Sequence, residues 1–285
     1  MSEGPVRRPA VAGFFYPSDK ASLLKAIEDC FKHALGPGKL PHLNRQGPRR
    51  ILGLVCPHAG YMYSGPVAAH AYYALANDGL FDTAVILGPN HQGLGSVIAT
   101  VDSGYWETPL GKVPIDADLV KRIVKLSGIV DIDESAHLYE HSIEVQLPFL
   151  QYIYGSDFRF VPICMLMQDL NSSMILGKAL AQALEGKNAV IIASTDFSHY
   201  EPHEVAKRKD TEAIKCILRL NPEALYETVM NMNISMCGVA PVMTMLVATK
   251  ILGASAAYLL KYATSGDVTG DFSQVVGYGA LSIMK

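Results

Sequence analysis

The chain has 285 residues, 49% of them hydrophobic, and a formal net charge of −3 at pH 7. That is enough apolar material for a substantial core, with no cationic surplus of the kind that nucleic-acid binding needs. The five cysteines, Cys30, Cys56, Cys164, Cys216 and Cys237, are widely spaced and form no CxxC pair, which argues against a disulfide framework or a structural zinc module.

From the amino terminus, residues 1–8 carry no apolar signal-peptide core. Leu23, Leu24, Ile27, Phe31 and Leu35 then recur at helical spacing behind Ser18 as a cap. Residues 36–50, rich in Pro, Gly and basic side chains, read as a surface excursion, with Arg45, Arg49 and Arg50 solvated. Four short runs rich in Val and Ile, at 51–56, 84–87, 158–163 and 189–193, lack polar alternation. They are predicted as strands covered on both faces. Helical patterns fall at 67–77, 117–125, 143–154, 173–184, 205–218, 222–230 and 239–251, and strands return at 257–264 and 275–283.

Interleaved strands and helices without a low-complexity linker predict one layered α/β domain over residues 1–285, with a largely buried mixed sheet flanked by helices. The most apolar later stretch, 238–252, is broken by Pro241 and Lys250 and falls short of the roughly 18 apolar residues that cross a bilayer. A soluble, cytoplasmic protein is expected.

Three of the buried strands run straight into polar residues able to act as ligands. Residues 51–56 lead through Pro57 to His58-Ala59-Gly60-Tyr61, residues 84–87 through Gly88-Pro89-Asn90 to His91, and residues 189–193 through Ser194-Thr195 to Asp196-Phe197-Ser198-His199. One histidine after a strand is ordinarily a hydrogen-bonded loop residue. Three at equivalent places point to a shared mouth, because open α/β sheets bind ligands beyond the carboxyl ends of their strands. Tyr61 is a candidate for the wall of that mouth.

Cys237 stands just before the apolar helical pattern at 239–251, where a helix amino terminus is expected to lower its pKa and favour thiolate. His141 and Glu144, three apart, would share a helical face as an orienting pair or a substrate contact, or else form a helix-start cap. The methionines around Cys237, including Met230, Met232, Met236, Met243 and Met245, read as core filler.

Six ordered stretches resemble the Memo family, named for a mediator of receptor-driven cell motility. They are Arg8-Pro9-Ala10-Val11-Ala12-Gly13-Phe14-Phe15-Tyr16-Pro17, Pro57-His58-Ala59-Gly60-Tyr61, Leu87-Gly88-Pro89-Asn90-His91, Glu140-His141-Ser142-Ile143-Glu144, Ser194-Thr195-Asp196-Phe197-Ser198-His199 and Cys237-Gly238. The resemblance implies a fold similar to the LigB-like extradiol dioxygenases, which hold non-haem Fe(II) with two histidines and a glutamate. It places His58 and His91 at the histidine ligands and Cys237 at the third metal position. Asp196 and His199 match further pocket residues, His199 at an acid/base position, with His141 and Glu144 assisting.

A thiolate in place of the carboxylate widens the choice from Fe(II) to copper or zinc. The resemblance therefore implies metal binding and redox chemistry on an unknown small molecule. Two other functions compete. One is a metal-free hydrolase with Cys237 as nucleophile, His199 as base and Asp196 as orienter. The other is a binding module for phosphotyrosine-type peptides or small ligands. The resemblance also implies radical-SAM and AMMECR1-like partners, the three-part AmmeMemoRadiSam association. This chain carries no CxxxCxxC motif of its own.

Overall fold

The computed structural model describes residues 4–285; of the terminal stretch read for a signal peptide, residues 1–3 lie outside the described part. In chain order the elements begin with β1 (Val6–Arg7), α1 (Lys20–Lys32), β2 (Ile51–Cys56), α2 (Tyr61–Asp78) and β3 (Thr83–Pro89). Next come β4 (Ile98–Thr100), β5 (Tyr105–Thr108), β6 (Gly111–Pro114), α3 (Ala117–Ser127) and β7 (Asp131–Ile132). After two short 3-10 turns follow α4 (Leu147–Tyr154), β8 (Arg159–Met165), α5 (Leu170–Leu184), β9 (Ala189–Ser194) and β10 (His199–Glu201). The chain finishes with α6 (His203–Leu218), α7 (Pro222–Asn231), α8 (Val239–Ile251), β11 (Ala256–Thr264), α9 (Gly266–Thr269) and β12 (Val275–Met284).

The main sheet runs β10-β12-β2-β9-β3-β8-β4-β7, with β11 on the other stretch of β12. Its centre, β2-β9-β3-β8, is parallel, while β4 pairs antiparallel with β8 and β12 antiparallel with β2. The expected mixed sheet flanked by helices is thus observed. All seven residues of β3 and all six of β9 are buried, as strands covered on both faces should be. The predicted run 84–87 lengthens to 83–89 and the run 158–163 shifts to 159–165, because the β3–β8 ladder holds register from Thr83↔Arg159 to Pro89↔Met165.

Elsewhere the elements depart from expectation for local reasons. The cap of α1 is Asp19, whose side chain accepts from the Ser22 N–H, and not Ser18. Helix α2 starts at Tyr61, six residues before the expected start, despite Gly65 and Pro66. Gly65 is needed there, because a Cβ would lie 2.4 Å from the Cys30 sulfur where α1 crosses α2. The expected helix 143–154 is a 3-10 turn at Glu144–Gln146 followed by α4, which has Pro148 in its first turn.

Arg49 is not solvated. It lies against buried Asp78 at 2.9 Å and donates to the Ile51 and Ala189 carbonyls, tying the excursion to the ends of β2 and β9. Met243 and Met245 are core residues, whereas Met230 is exposed. The five cysteines are all unpaired. Among the described residues no helix is long and apolar enough to cross a membrane.

Candidate metal centre

The register of the central strands brings three loops to one place. Cys56 stands opposite Ser194, and Leu87 opposite Ala193, so parallel β2, β9 and β3 finish nearly level. His58 lies two residues beyond β2, His91 two beyond β3 and Asp196 two beyond β9. The shared mouth expected from sequence therefore exists, with β9 in the middle.

Cys237 reaches it from a distant part of the chain. Helix α8 packs on the central strands, and Gly238 lets its start come close: a Cβ there would lie 2.4 Å from the Ser194 carbonyl oxygen and 2.7 Å from Thr195 Cβ. The Gly238 N–H donates to Thr195 Oγ1 at 2.9 Å. The Asp196 N–H donates to Cys237 Sγ at 3.2 Å, and the Cys237 N–H to the Asp196 carbonyl at 3.3 Å. The cysteine is thereby strapped in both directions to the end of β9.

One donor atom each from His58, His91 and Cys237 lies within 4.8 Å of the other two. His58 Nε2 and Cys237 Sγ are 3.3 Å apart. An imidazole nitrogen and a thiolate sulfur on one tetrahedral ion would stand about 3.5 Å apart, so the trio fits a single transition-metal ion. Its donor set, two imidazoles and a sulfur, suits iron, copper and zinc.

The local electrostatics suit neutral imidazole ligands. Burial, then the neighbouring His141, His91 and His199, drives His58 well below its ordinary pKa. Burial and His199 lower His91, and burial pushes His141 down to about 4. The expectation for Cys237 is corrected. Although the residue keeps some contact with solvent, burial and then the Asp196 carboxylate push its thiol up to about 12, outweighing the hydrogen bonds from the Asp196 N–H and Thr195 that lower it. Burial also raises Asp196, whose Oδ1 accepts the His58 backbone N–H at 3.0 Å and whose Oδ2 lies 3.9 Å from His58 Nε2.

The remaining sequence candidates divide. The His141 ring stacks on His91 with centroids 4.6 Å apart and rests against Phe15 at 4.8 Å, at the edge of the trio. His199 Nδ1 lies 2.8 Å from the Ser235 carbonyl. A carbonyl can only accept, so Nδ1 carries a proton, and in the neutral ring the lone pair is on Nε2. Tyr61 donates its hydroxyl to the Val145 carbonyl and lines a neighbouring apolar cavity of about 420 Å³ with Phe14, Phe15, Tyr16 and Met62.

Glu144 is taken up elsewhere. Its fully buried carboxylate accepts from Arg7 Nη1 at 2.6 Å, the Ala10 N–H at 2.8 Å, the Val11 N–H at 3.0 Å and the Tyr16 hydroxyl at 2.7 Å. Those four donors anchor residues 7–16 against the centre, and Glu144 makes no pair with His141.

Sequence reading passed over Ser194, Gln146 and Asp210. Ser194 Oγ lies 2.8 Å from His58 Nδ1 and 2.9 Å from Gln146 Nε2. Asp210 on α6 accepts from the Ser198 N–H, the Ser198 hydroxyl and the Tyr262 hydroxyl, holding the loop between Asp196 and His199. Ser194 opens the Ser194–His199 motif and Gln146 lies just past the Glu140–Glu144 one, but neither residue type points to a ligand, and nothing local marks Asp210.

A family model described as Memo-like protein matches residues 7–282. A MEMO1 family protein of Methanopyrus kandleri is 56% identical over 277 residues, covering 96% of this chain and 98% of its own. One from Methanothermobacter thermautotrophicus is 51% identical over 279 residues, with 97% and 100% covered. An uncharacterized protein of Escherichia coli K12, known from a crystal structure, superposes with a TM-score of 0.55 at 16% identity. The match covers 81% of this chain and 99% of that one, and shows likeness of fold.

Proposed function

The chain belongs to the Memo family, and from that premise we propose that it is a mononuclear metalloprotein whose ion is held by His58, His91 and Cys237. Fe(II) is the ion proposed first, with copper or zinc as alternatives. The observation that carries the reading is the meeting of three donor atoms, from two strand ends and one helix start, within 4.8 Å of one another. Iron or copper bound there would supply Lewis-acid polarisation and one-electron exchange, so the proposed reaction class is oxidation of a small molecule with dioxygen as the electron acceptor, as the resemblance to extradiol dioxygenases implies.

The protein's own groups divide the remaining work. His58 is buried and its pKa is driven well below the ordinary value, and the more exposed His91 is shifted in the same direction, so both imidazoles can donate a lone pair as they stand. Cys237 gives up its proton on ligation. His199, fixed through Nδ1 by the Ser235 carbonyl, offers Nε2 as the atom that takes a proton from substrate. Asp196 orients the His58 backbone. His141 and Phe15 close one side and limit water.

Two observations argue against the competing functions. The imidazole nearest the Cys237 sulfur is His58, and burial favours the neutral thiol, which leaves a Cys237–His199 hydrolase without an activated nucleophile. Arg7, the guanidinium beside the His141 segment, is engaged by Glu144 and by the His137 and Glu140 carbonyls, so it offers no fork to a phosphorylated peptide. The resemblance to the Memo family extends the proposal to a cytoplasmic setting and to radical-SAM and AMMECR1-like partners.

Elemental analysis after anaerobic reconstitution tests the core of the reading. One ion per chain is expected, falling below a tenth in His58→Ala and Cys237→Ala. Wild-type protein without stoichiometric metal, behaving like both variants, would rule it out.

A further inference from the structure

We infer that Ser194, set by Gln146 and the Ser142 carbonyl, is a positioning residue that locks His58 in the tautomer protonated at Nδ1, leaving Nε2 bare toward Cys237. The inference rests on the metal-binding reading and names the residues that prepare its most buried ligand.

The direction of each hydrogen bond follows from what its partner can do. Gln146 Nε2 lies 3.1 Å from the Pro57 carbonyl and 3.3 Å from the Ser142 carbonyl. Carbonyls only accept, so the amide nitrogen must face them, and the Tyr72 hydroxyl donates to Gln146 Oε1 on the other side. That nitrogen is also 2.9 Å from Ser194 Oγ, where it can only donate; its two protons go to its two shortest contacts, Ser194 Oγ and the Pro57 carbonyl, and the Ser142 carbonyl at 3.3 Å is the weakest of the three.

Ser194 has one proton, and the Ser142 carbonyl at 2.7 Å, its shortest contact, takes it. The hydroxyl then has two lone pairs. Gln146 fills one, and the other faces His58 Nδ1 at 2.8 Å. A hydroxyl whose proton is already placed can only accept, so His58 carries its proton on Nδ1. Nε2, 3.3 Å from Cys237 Sγ, keeps a lone pair for an ion. Ser194, Gln146 and His58 are each at most 3% exposed, so water does not compete for these bonds. The arrangement has the form in which the second nitrogen of a ligating histidine is oriented by a fixed partner.

The test uses full-length metal-free protein labelled with 15N at histidine, with the His58 signals identified by their loss in His58→Gln. In the wild type, Nδ1 should appear protonated and Nε2 unprotonated at pH 7.5. In Ser194→Ala the proton should move to Nε2, and zinc affinity should fall about 10- to 100-fold. Gln146→Leu, which leaves Ser194 in place, should show a mixture of tautomers and an intermediate loss.

A wild-type ring protonated on Nε2 overturns the inference, and so does Ser194→Ala with unchanged tautomer and affinity. An unmixed Nδ1–H ring in Gln146→Leu overturns the part given to Gln146. The wild-type spectrum decides the tautomer even if a variant fails to fold. Wild-type protein that shows the Nδ1–H ring but takes up no zinc would refute the metal reading alone.

Discussion

Cys237 governs how the centre should respond to pH. Its thiol is pushed up to about 12, first by burial and then by Asp196, so near neutrality the proton is on sulfur and must leave when an ion is ligated. The imidazoles of His58 and His91 are shifted downward and have no proton to lose. Binding therefore releases about one proton, and zinc affinity should rise about tenfold per pH unit between pH 7 and 9. In Cys237→Ser that slope should flatten; a flat slope in the wild type would remove thiolate from the ligand set. Glu144 makes the complementary case. Paired with Arg7 at 2.6 Å and wholly buried, it serves as an anchor, so Glu144→Gln should lose about 3–5 kcal/mol in urea unfolding. Its folded fraction should still bind one zinc per chain. A variant of native stability that no longer binds metal would move Glu144 into the chemistry. The sequence marked both residues as interesting and misjudged both environments, because burial and charge neighbours are properties of the packed chain.

At the scale of elements, the strand ends were legible because fully covered strands leave unbroken apolar runs, as in β2 and β9. Their adjacency was not. The order β2-β9-β3 is set by pairings such as Gly53↔Ile191 and Val85↔Ile191, between residues far apart in the chain. Short pieces escaped altogether: β4, β5 and β6 have three or four residues each, too few for any periodicity to register. The approach of α8 to β9 depends on Gly238, whose neighbours include the Ser194 carbonyl and have little freedom to move. Gly238→Ala should therefore push the start of α8 outward, cost about 1–3 kcal/mol of stability and lower zinc affinity at least about tenfold. Calorimetric titration beside thermal unfolding would check both, and native values for both would mean that the helix start has room to adjust.

Across the whole molecule, the layered α/β plan followed from alternating strand and helix patterns, and the helices on the sheet largely kept their expected bounds. The contribution of residues 5–17 did not follow from any pattern. Phe15 accepts the Tyr61 N–H through its carbonyl at 2.8 Å and rests against His141, while Arg7 lies 4.0 Å over the Trp106 ring. Family resemblance alone singled that stretch out, because its contacts lie on β5, α2 and the His141 segment, remote in sequence. The centre is thus assembled from six separated stretches of chain, and its integrity reports on the whole fold. X-ray absorption of protein loaded with one equivalent of zinc tests that assembly most directly. One sulfur at about 2.3 Å with imidazole nitrogens at about 2.0–2.1 Å is expected, the sulfur vanishing in Cys237→Ser. A shell of nitrogen and oxygen alone, identical in wild type and Cys237→Ser, would contradict it.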